Sequence, residues 1–166
     1  MQTTTVERRL RTFLLVVAGC ICAGTIVELF LLEHTKTLVQ LTPFVLCGVG
    51  ALAVATALAR PKRGTLIALR AVMGLLLLGS LFGVYEHIEN NLAFELEIRP
   101  NATASDVWLE TLKGDSPLLA PGALAVAACL AVAATYEHPA LARRQANITQ
   151  TRAAIGDSSI SQRGRS

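Results

Sequence analysis

The sequence predicts an all-α fold: a polytopic membrane protein built as an antiparallel four-transmembrane-helix bundle, with a short interfacial helix in the outer loop. Three observations lead there. Four stretches are apolar over about twenty residues, the length an α-helix needs to cross ~30 Å of hydrocarbon at ~1.5 Å per residue. Nearly all the charges lie between these stretches, which are almost free of them. The basic groups also fall in alternate gaps, and the long loop on the opposite side is acidic.

The composition agrees. Of 166 residues, 52% are hydrophobic and only 16% charged. A soluble domain carries roughly 25% charged residues, so this single domain lacks the groups to cover a water-facing surface. In lipid, an unpaired peptide N–H or C=O is so costly that a spanning segment must be helical or part of a closed barrel.

The elements follow in order. Residues 1–11 form a basic segment holding Arg8, Arg9 and Arg11. A first span covers about 12–32. A short turn from His34 to Thr37 leads to a second, 38–59, with Pro43 in its first turns. Arg60-Pro61-Lys62-Arg63-Gly64 ends it and restarts the chain into a third span, 65–84. An outer loop at about 86–115 precedes the fourth span, 117–136. That span carries Pro117 and Pro121 in its opening turns, where a missing N–H costs little, and it stops before Pro139. Residues 12–145 thus form the transmembrane domain. The tail 146–166 is rich in Ser, Thr, Gln, Gly and Arg, lacks apolar periodicity, and is expected to be disordered.

Lysine and arginine set the orientation. Arg8, Arg9 and Arg11, then Arg60, Lys62 and Arg63 with Arg70, then Arg143 and Arg144, all fall on one side. That side is expected to be cytoplasmic, which puts both termini inside a multi-pass protein of the cell membrane. The opposite loop carries Glu86, Glu89, Glu95, Glu97, Asp106, Glu110 and Asp115 against Arg99 and Lys113. Within it, residues 101–106 read as a turn and helix start. Val107, Trp108, Leu109 and Leu112 then form the apolar side of a short helix ending at Gly114, expected at the outer surface. Asn101-Ala102-Thr103 matches the glycosylation acceptor pattern. A competing reading of the N-terminus is a signal peptide, since Val17-Ala18-Gly19-Cys20 has the form of a lipobox. Against it, the apolar run continues past Cys20 to Leu32.

Lipid tails are as apolar as leucine, so the helices must associate through close backbone approach and polar contacts. Gly79 with Gly83, the row Ala51, Ala55, Ala59, the row Ala123, Ala127, Ala131, and Gly19 with Ala23 have the required spacing. They are expected to face other helices of the same bundle, with self-association as the alternative. The four cysteines, Cys20, Cys22, Cys47 and Cys129, lie inside spans without CxxC spacing and read as small packing residues.

The net charge of +3 does not indicate nucleic acid, because the basic residues sit at span ends where topology explains them. All three histidines follow a glutamate: Glu33-His34, Glu86-His87 and Glu137-His138. The topology places His34 and His87 at the outer ends of spans one and three, and His138 at the inner end of span four. Glu28 lies inside the first span, where an acid at the helix centre costs roughly 2.5–3.5 kcal/mol, less near the end. His34, His87, Glu28 and Glu86 are therefore the candidates for a metal, haem or proton-handling site facing outward, with Glu33 and Glu89 nearby. The plainer alternative is that they are polar residues collecting at span ends. No HExxH, CxxCH, GxSxG or nucleotide-binding pattern is present, so no catalytic set and no cofactor are identified. Ser80 is expected to bond to its own helix, and Arg70 to reach toward the inner surface. The functional expectation is a small structural or accessory protein. Its partners would be the lipid bilayer together with a second copy or a larger membrane complex. The outward Glu/His site is the alternative.

Overall fold

A computed structural model describes residues 5–114, 116 and 118–142. Asp115, Pro117, Arg143, Arg144 and the polar tail 146–166 lie outside the described residues, so the expectations placed on them are not addressed by it. Among the described residues the chain is helical, without strands. It forms α1 (Thr5–Leu31), α2 (Leu38–Ala59), α3 (Arg63–Ile98), α4 (Trp108–Lys113) and α5 (Leu119–Ala134). Helices α1, α2 and α3 are long and apolar enough to cross a membrane, and α5 is a shorter apolar helix.

Helix boundaries follow from local chemistry. α1 starts at Thr5 and takes Arg8, Arg9 and Arg11 into the helix, where the sequence reading had set them before it. Glu7 in the first turn complements the positive end of the helix dipole. α2 begins where the Thr37 side chain accepts from the Gln40 N–H at 3.3 Å, and Gln40 Oε1 accepts from the Lys36 N–H at 2.8 Å. At the start of α3, Thr65 Oγ1 accepts from the Lys62 N–H at 3.1 Å. α3 then runs 36 residues, which at ~1.5 Å per residue is about 54 Å. The sequence reading ended this helix at Val84 and began a loop at Glu86. The structure corrects that: residues 85–98 carry neither proline nor glycine, and the helix stops at Ile98, just before Arg99-Pro100, where the proline bars helical backbone at the residue ahead of it. α5 spans 16 residues, about 24 Å, which is shorter than ~30 Å of hydrocarbon.

Contacts between helices define a closed circuit. α1 packs on α2 and α5, and α3 packs on α2 and α5. Neighbours run antiparallel. Gly19 meets Val54 and Gly50 meets Cys22 across α1 and α2, Gly79 meets Leu46 across α3 and α2, and Gly83 meets Pro121 across α3 and α5. The buried positions recur at helical spacing: Leu15, Ala18, Cys22 on α1; Cys47, Gly50, Val54, Ala57 on α2; Leu66, Leu69, Met73, Leu76 on α3; Leu124, Ala127, Ala131, Ala134 on α5. A buried leucine makes roughly 40–60 atomic contacts worth ~0.1–0.2 kcal/mol each, so close packing supplies cohesion where lipid offers no hydrophobic drive. The opposite faces carry exposed large apolar residues, among them Phe13, Val45, Leu52, Leu75, Leu78 and Val126. A soluble surface rarely tolerates so much.

Several packing expectations change. Gly79 and Gly83 do sit at close approaches, but each faces a different neighbour. Ala127 and Ala131 are buried as expected, whereas Ala23, Ala55 and Ala59 are exposed. The buried row of α2 is instead carried by Cys47, Gly50, Val54 and Ala57. Ser80 does not bond to its own helix: its Oγ donates to the Pro121 carbonyl on α5 at 2.6 Å. Gly83, close to Ser80 on α3, makes room for α5 at this point, since a Cβ there would lie 3.0 Å from Pro121 Cβ.

Candidate functional site

The end of the bundle expected to face outward, the outer end, is built from the turn after α1 and the later part of α3. α1 ends in a six-residue hydrogen-bonded turn: the His34 N–H donates to the Leu29 carbonyl at 3.0 Å, and the Glu33 N–H to the Phe30 carbonyl at 3.1 Å. This Schellman geometry needs a left-handed residue at its corner, and Glu33 fills it with φ 52°. Glycine is the usual occupant because a Cβ is unfavourable there. The corner carries His34 off the helix and beside His87 of α3. Burial first, and then the charge of His87, hold the His34 pKa below the usual histidine range. Nδ1 of His87 is itself buried and has no hydrogen-bond partner among the described residues.

The sequence reading joined Glu28 and Glu86 to these histidines. Glu28 is exposed, off the α1 face formed by Leu15, Ala18 and Cys22. Glu86 is half-buried and precedes His87 on a continuous helix, where consecutive side chains diverge by about 100°. Among the described residues no group of three or more His, Cys, Asp or Glu gathers as a metal ion requires. Of the four candidates, His34 and His87 lie near enough for the charge of one to act on the other.

Above the pair, Asn91 straps the α4 segment to α3. Its Nδ2 donates to the carbonyls of Thr111 and Ser116, both at 3.0 Å, and its Oδ1 accepts from the Ser116 N–H at 3.0 Å. Asn91 is 4% exposed and Thr111 fully buried. Gly114 is required beside it, because a Cβ there would lie 2.8 Å from both Nδ2 and Oδ1 of Asn91. Farther along α3, Glu95 is largely buried, with Arg99 3.8 Å away. Before α4, Asp106 accepts from the Thr103 N–H at 2.8 Å and from its hydroxyl at 2.7 Å, contacts that lower the Asp106 pKa. The sequence reading missed the strap. Its one signal was an asparagine pair, poor helix formers, inside a stretch now known to be helical.

The opposite end, expected to face inward, holds a second polar cluster. Arg70 does not simply extend to the surface. Its Nε donates to the Thr135 hydroxyl at 2.7 Å and its Nη2 to the Thr135 carbonyl at 3.0 Å, at the C-terminus of α5. There a cation also offsets the negative end of the helix dipole. Arg11 Nη2 reaches the Glu137 carbonyl at 3.5 Å, while Nη1 is buried without a hydrogen-bond partner among the described residues. His138 stands beside Arg11. Burial first, and then Arg11, hold its pKa below the usual range. Its Nδ1 accepts from the Ala140 N–H at 3.2 Å, an arrangement that suits the neutral ring.

Comparison with protein-family models, with curated proteins and with solved structures returns no match.

Proposed function

We propose that this chain is a small, non-catalytic protein of the cell membrane that crosses the bilayer four times with both termini in the cytoplasm. It acts by binding other membrane proteins, or a second copy of itself. The short α5 serves as the fourth crossing, extended by the residues on either side of it or met by local thinning of the bilayer. The observation that carries this reading is the length of α3. About 24 Å of it exceeds a ~30 Å hydrocarbon layer, and the strapped α4 lies along this part. Trp108, Leu109, Phe94 and Ile98 are left exposed there on a rigid support. Trp108 and its neighbours suit the headgroup layer of the outer leaflet, where an interfacial helix meets the outer part of a partner.

The test is photo-crosslinking in cells from a reactive residue at Leu109, with one at Phe13 as control, alongside a topology reporter at each terminus. Discrete adducts from Leu109, and reporters active only in the cytoplasm, are the expected result. Absence of any adduct from Leu109, or a terminus outside the cell, defeats the reading.

A second reading, an outward imidazole site for a metal, a haem or a proton, rests on the buried, unpartnered Nδ1 of His87 beside His34. Purified protein would then show a Soret band or stoichiometric metal that is lost when His34→Ala and His87→Ala are combined.

A further inference from the structure

Three sulfur-bearing side chains from three helices meet in the middle of the molecule. Cys22 of α1, Cys47 of α2 and Met73 of α3 are each 0% exposed. Cys47 shares the buried face of α2 with Gly50, the residue that meets Cys22. Gly50, one turn beyond Cys47 on that face, leaves the space into which the three side chains converge. A methyl group there would lie 3.4 Å from Cys22 Sγ, 3.6 Å from Met73 Cε and 3.8 Å from Leu76 Cδ2. Each of the three residues also lies near the centre of its apolar stretch, far from the polar groups at either end.

We propose that Cys22, Cys47 and Met73 form a binding site for one soft monovalent cation, Cu(I). Thiolate and thioether sulfur are the donors that select Cu(I) over harder metals. Charge decides between the soft metals. One thiol loses its proton to water as its sulfur–copper bond forms, and the resulting Cu(I)–thiolate unit is neutral. The second thiol and the thioether then bind as neutral donors. The site carries no net charge, as a hydrocarbon interior demands. Zn(II) needs two thiolates for neutrality and four ligands in a tetrahedron, and a thioether is a poor member of that set. The long, unbranched methionine side chain has the torsional freedom to bring its sulfur to the metal.

The site is tested on the full chain in detergent, under anaerobic reducing conditions, by titrating Cu(I) against a colorimetric Cu(I) chelator. One Cu(I) per chain is expected, with sulfur as the only near neighbour in the X-ray absorption spectrum. Combining Cys22→Ser with Cys47→Ser should lower affinity at least a hundredfold. Combining Cys20→Ser with Cys129→Ser, at two exposed positions, should leave it unchanged. Gly50→Ala separates binding from packing. The added methyl makes ordinary contacts, so the helices stay assembled, but it fills the space the metal needs, and affinity should fall at least tenfold. Met73→Leu keeps the volume, removes the sulfur and should also weaken binding. If the double serine variant fails to fold, these two decide. Unchanged affinity in both Gly50→Ala and Met73→Leu overturns the proposal, as does nitrogen or oxygen ligation, or stoichiometric zinc with no preference for Cu(I).

Discussion

The turn that follows α1 and the turn that follows α5 share a left-handed corner and differ in their hydrogen bonds and their surroundings. Each places a glutamate in the left-handed region, Glu33 at φ 52° and Glu137 at φ 47°, and each follows it with a histidine. After α1 the histidine meets another histidine, His87. After α5 it meets an arginine, Arg11. The third Glu-His pair, Glu86-His87, makes no turn, because α3 continues through it. The dipeptide therefore has no fixed meaning. Local sequence chooses the turn, and the helix brought alongside chooses the chemistry.

The two ends also differ in what fastens them. At the outer end a neutral amide, Asn91, holds the α4 segment through three hydrogen bonds. At the inner end a cation, Arg70, holds the terminus of α5. Breaking the outer fastening has the larger expected effect. Asn91→Ala removes the Asn91 partner from the Ser116 carbonyl and N–H, at roughly 1–3 kcal/mol for each group that stays dry, and leaves the Thr111 carbonyl with the Gly114 N–H alone. The segment should then detach. Amide hydrogen exchange should lose protection across residues 107–114 while α1, α2 and α5 keep theirs. Protection that survives in 107–114 would mean that Asn91 is not the strap.

At the inner end, Arg70→Met keeps the apolar stem and removes the cation from the α5 terminus. The lost interaction with the helix end should cost up to about 2 kcal/mol, since the guanidinium is partly open to the surroundings. Thermal unfolding in detergent at low and high salt checks it. Thr135→Val removes one of the same hydrogen bonds, and the double variant should cost less than the sum of the two. Strict additivity would show that the two residues do not act together.

The three long apolar helices were legible because apolar length follows directly from the cost of burying peptide groups in lipid. α2 lies where the sequence placed it, ended by Arg60-Pro61. The end of α3 is legible in principle, since Pro100 is the first breaker after Gly83, but the apolar stretch stops near Val84 while the helix continues to Ile98. The faces of α2 were not legible. An alanine row and the row of Cys47, Gly50, Val54 and Ala57 both fit helical spacing, and only the positions of α1 and α3 choose between them. The polar contacts of Ser80, Arg70 and Asn91 depend on residues 41, 65 and 20–25 positions away, which local pattern does not encode. Which of the four candidate site residues approach one another depends on helix phase, which topology alone does not fix.

Acid should act on both ends in the same direction. His34 and His138 have folded pKa values below the usual value of about 6.5, so the folded state binds fewer protons than the unfolded chain. Their contribution to stability is complete above about pH 6.5 and is lost as pH falls through the folded values. The melting temperature should therefore decline below that pH. Histidine NMR titrations separate the ends. His87→Gln should raise only the His34 pKa, and Arg11→Gln only that of His138. Neither should restore the usual value in full, because burial is the larger cause at both sites. Full restoration by either change would reverse that ranking.

The smallest effect tests whether the two turns are as alike as their torsions. A residue with a Cβ in the left-handed region costs roughly 1–2 kcal/mol relative to its preferred backbone, and glycine avoids this while gaining freedom in the unfolded chain. Glu33→Gly and Glu137→Gly should each stabilise by about 0.5–1 kcal/mol once that freedom is set against the relief. Glu33 is exposed and fully replaceable in this respect, so its gain should appear undiminished. Glu137 lends its carbonyl to Arg11 through the backbone, which glycine retains, so the gain should match. Equal gains in thermal unfolding mean that strain in both turns is purely local. A gain at one turn and a loss at the other would show that a glutamate side chain holds its histidine in place, and the two ends would then differ in the turn itself as well as in what lies beside it.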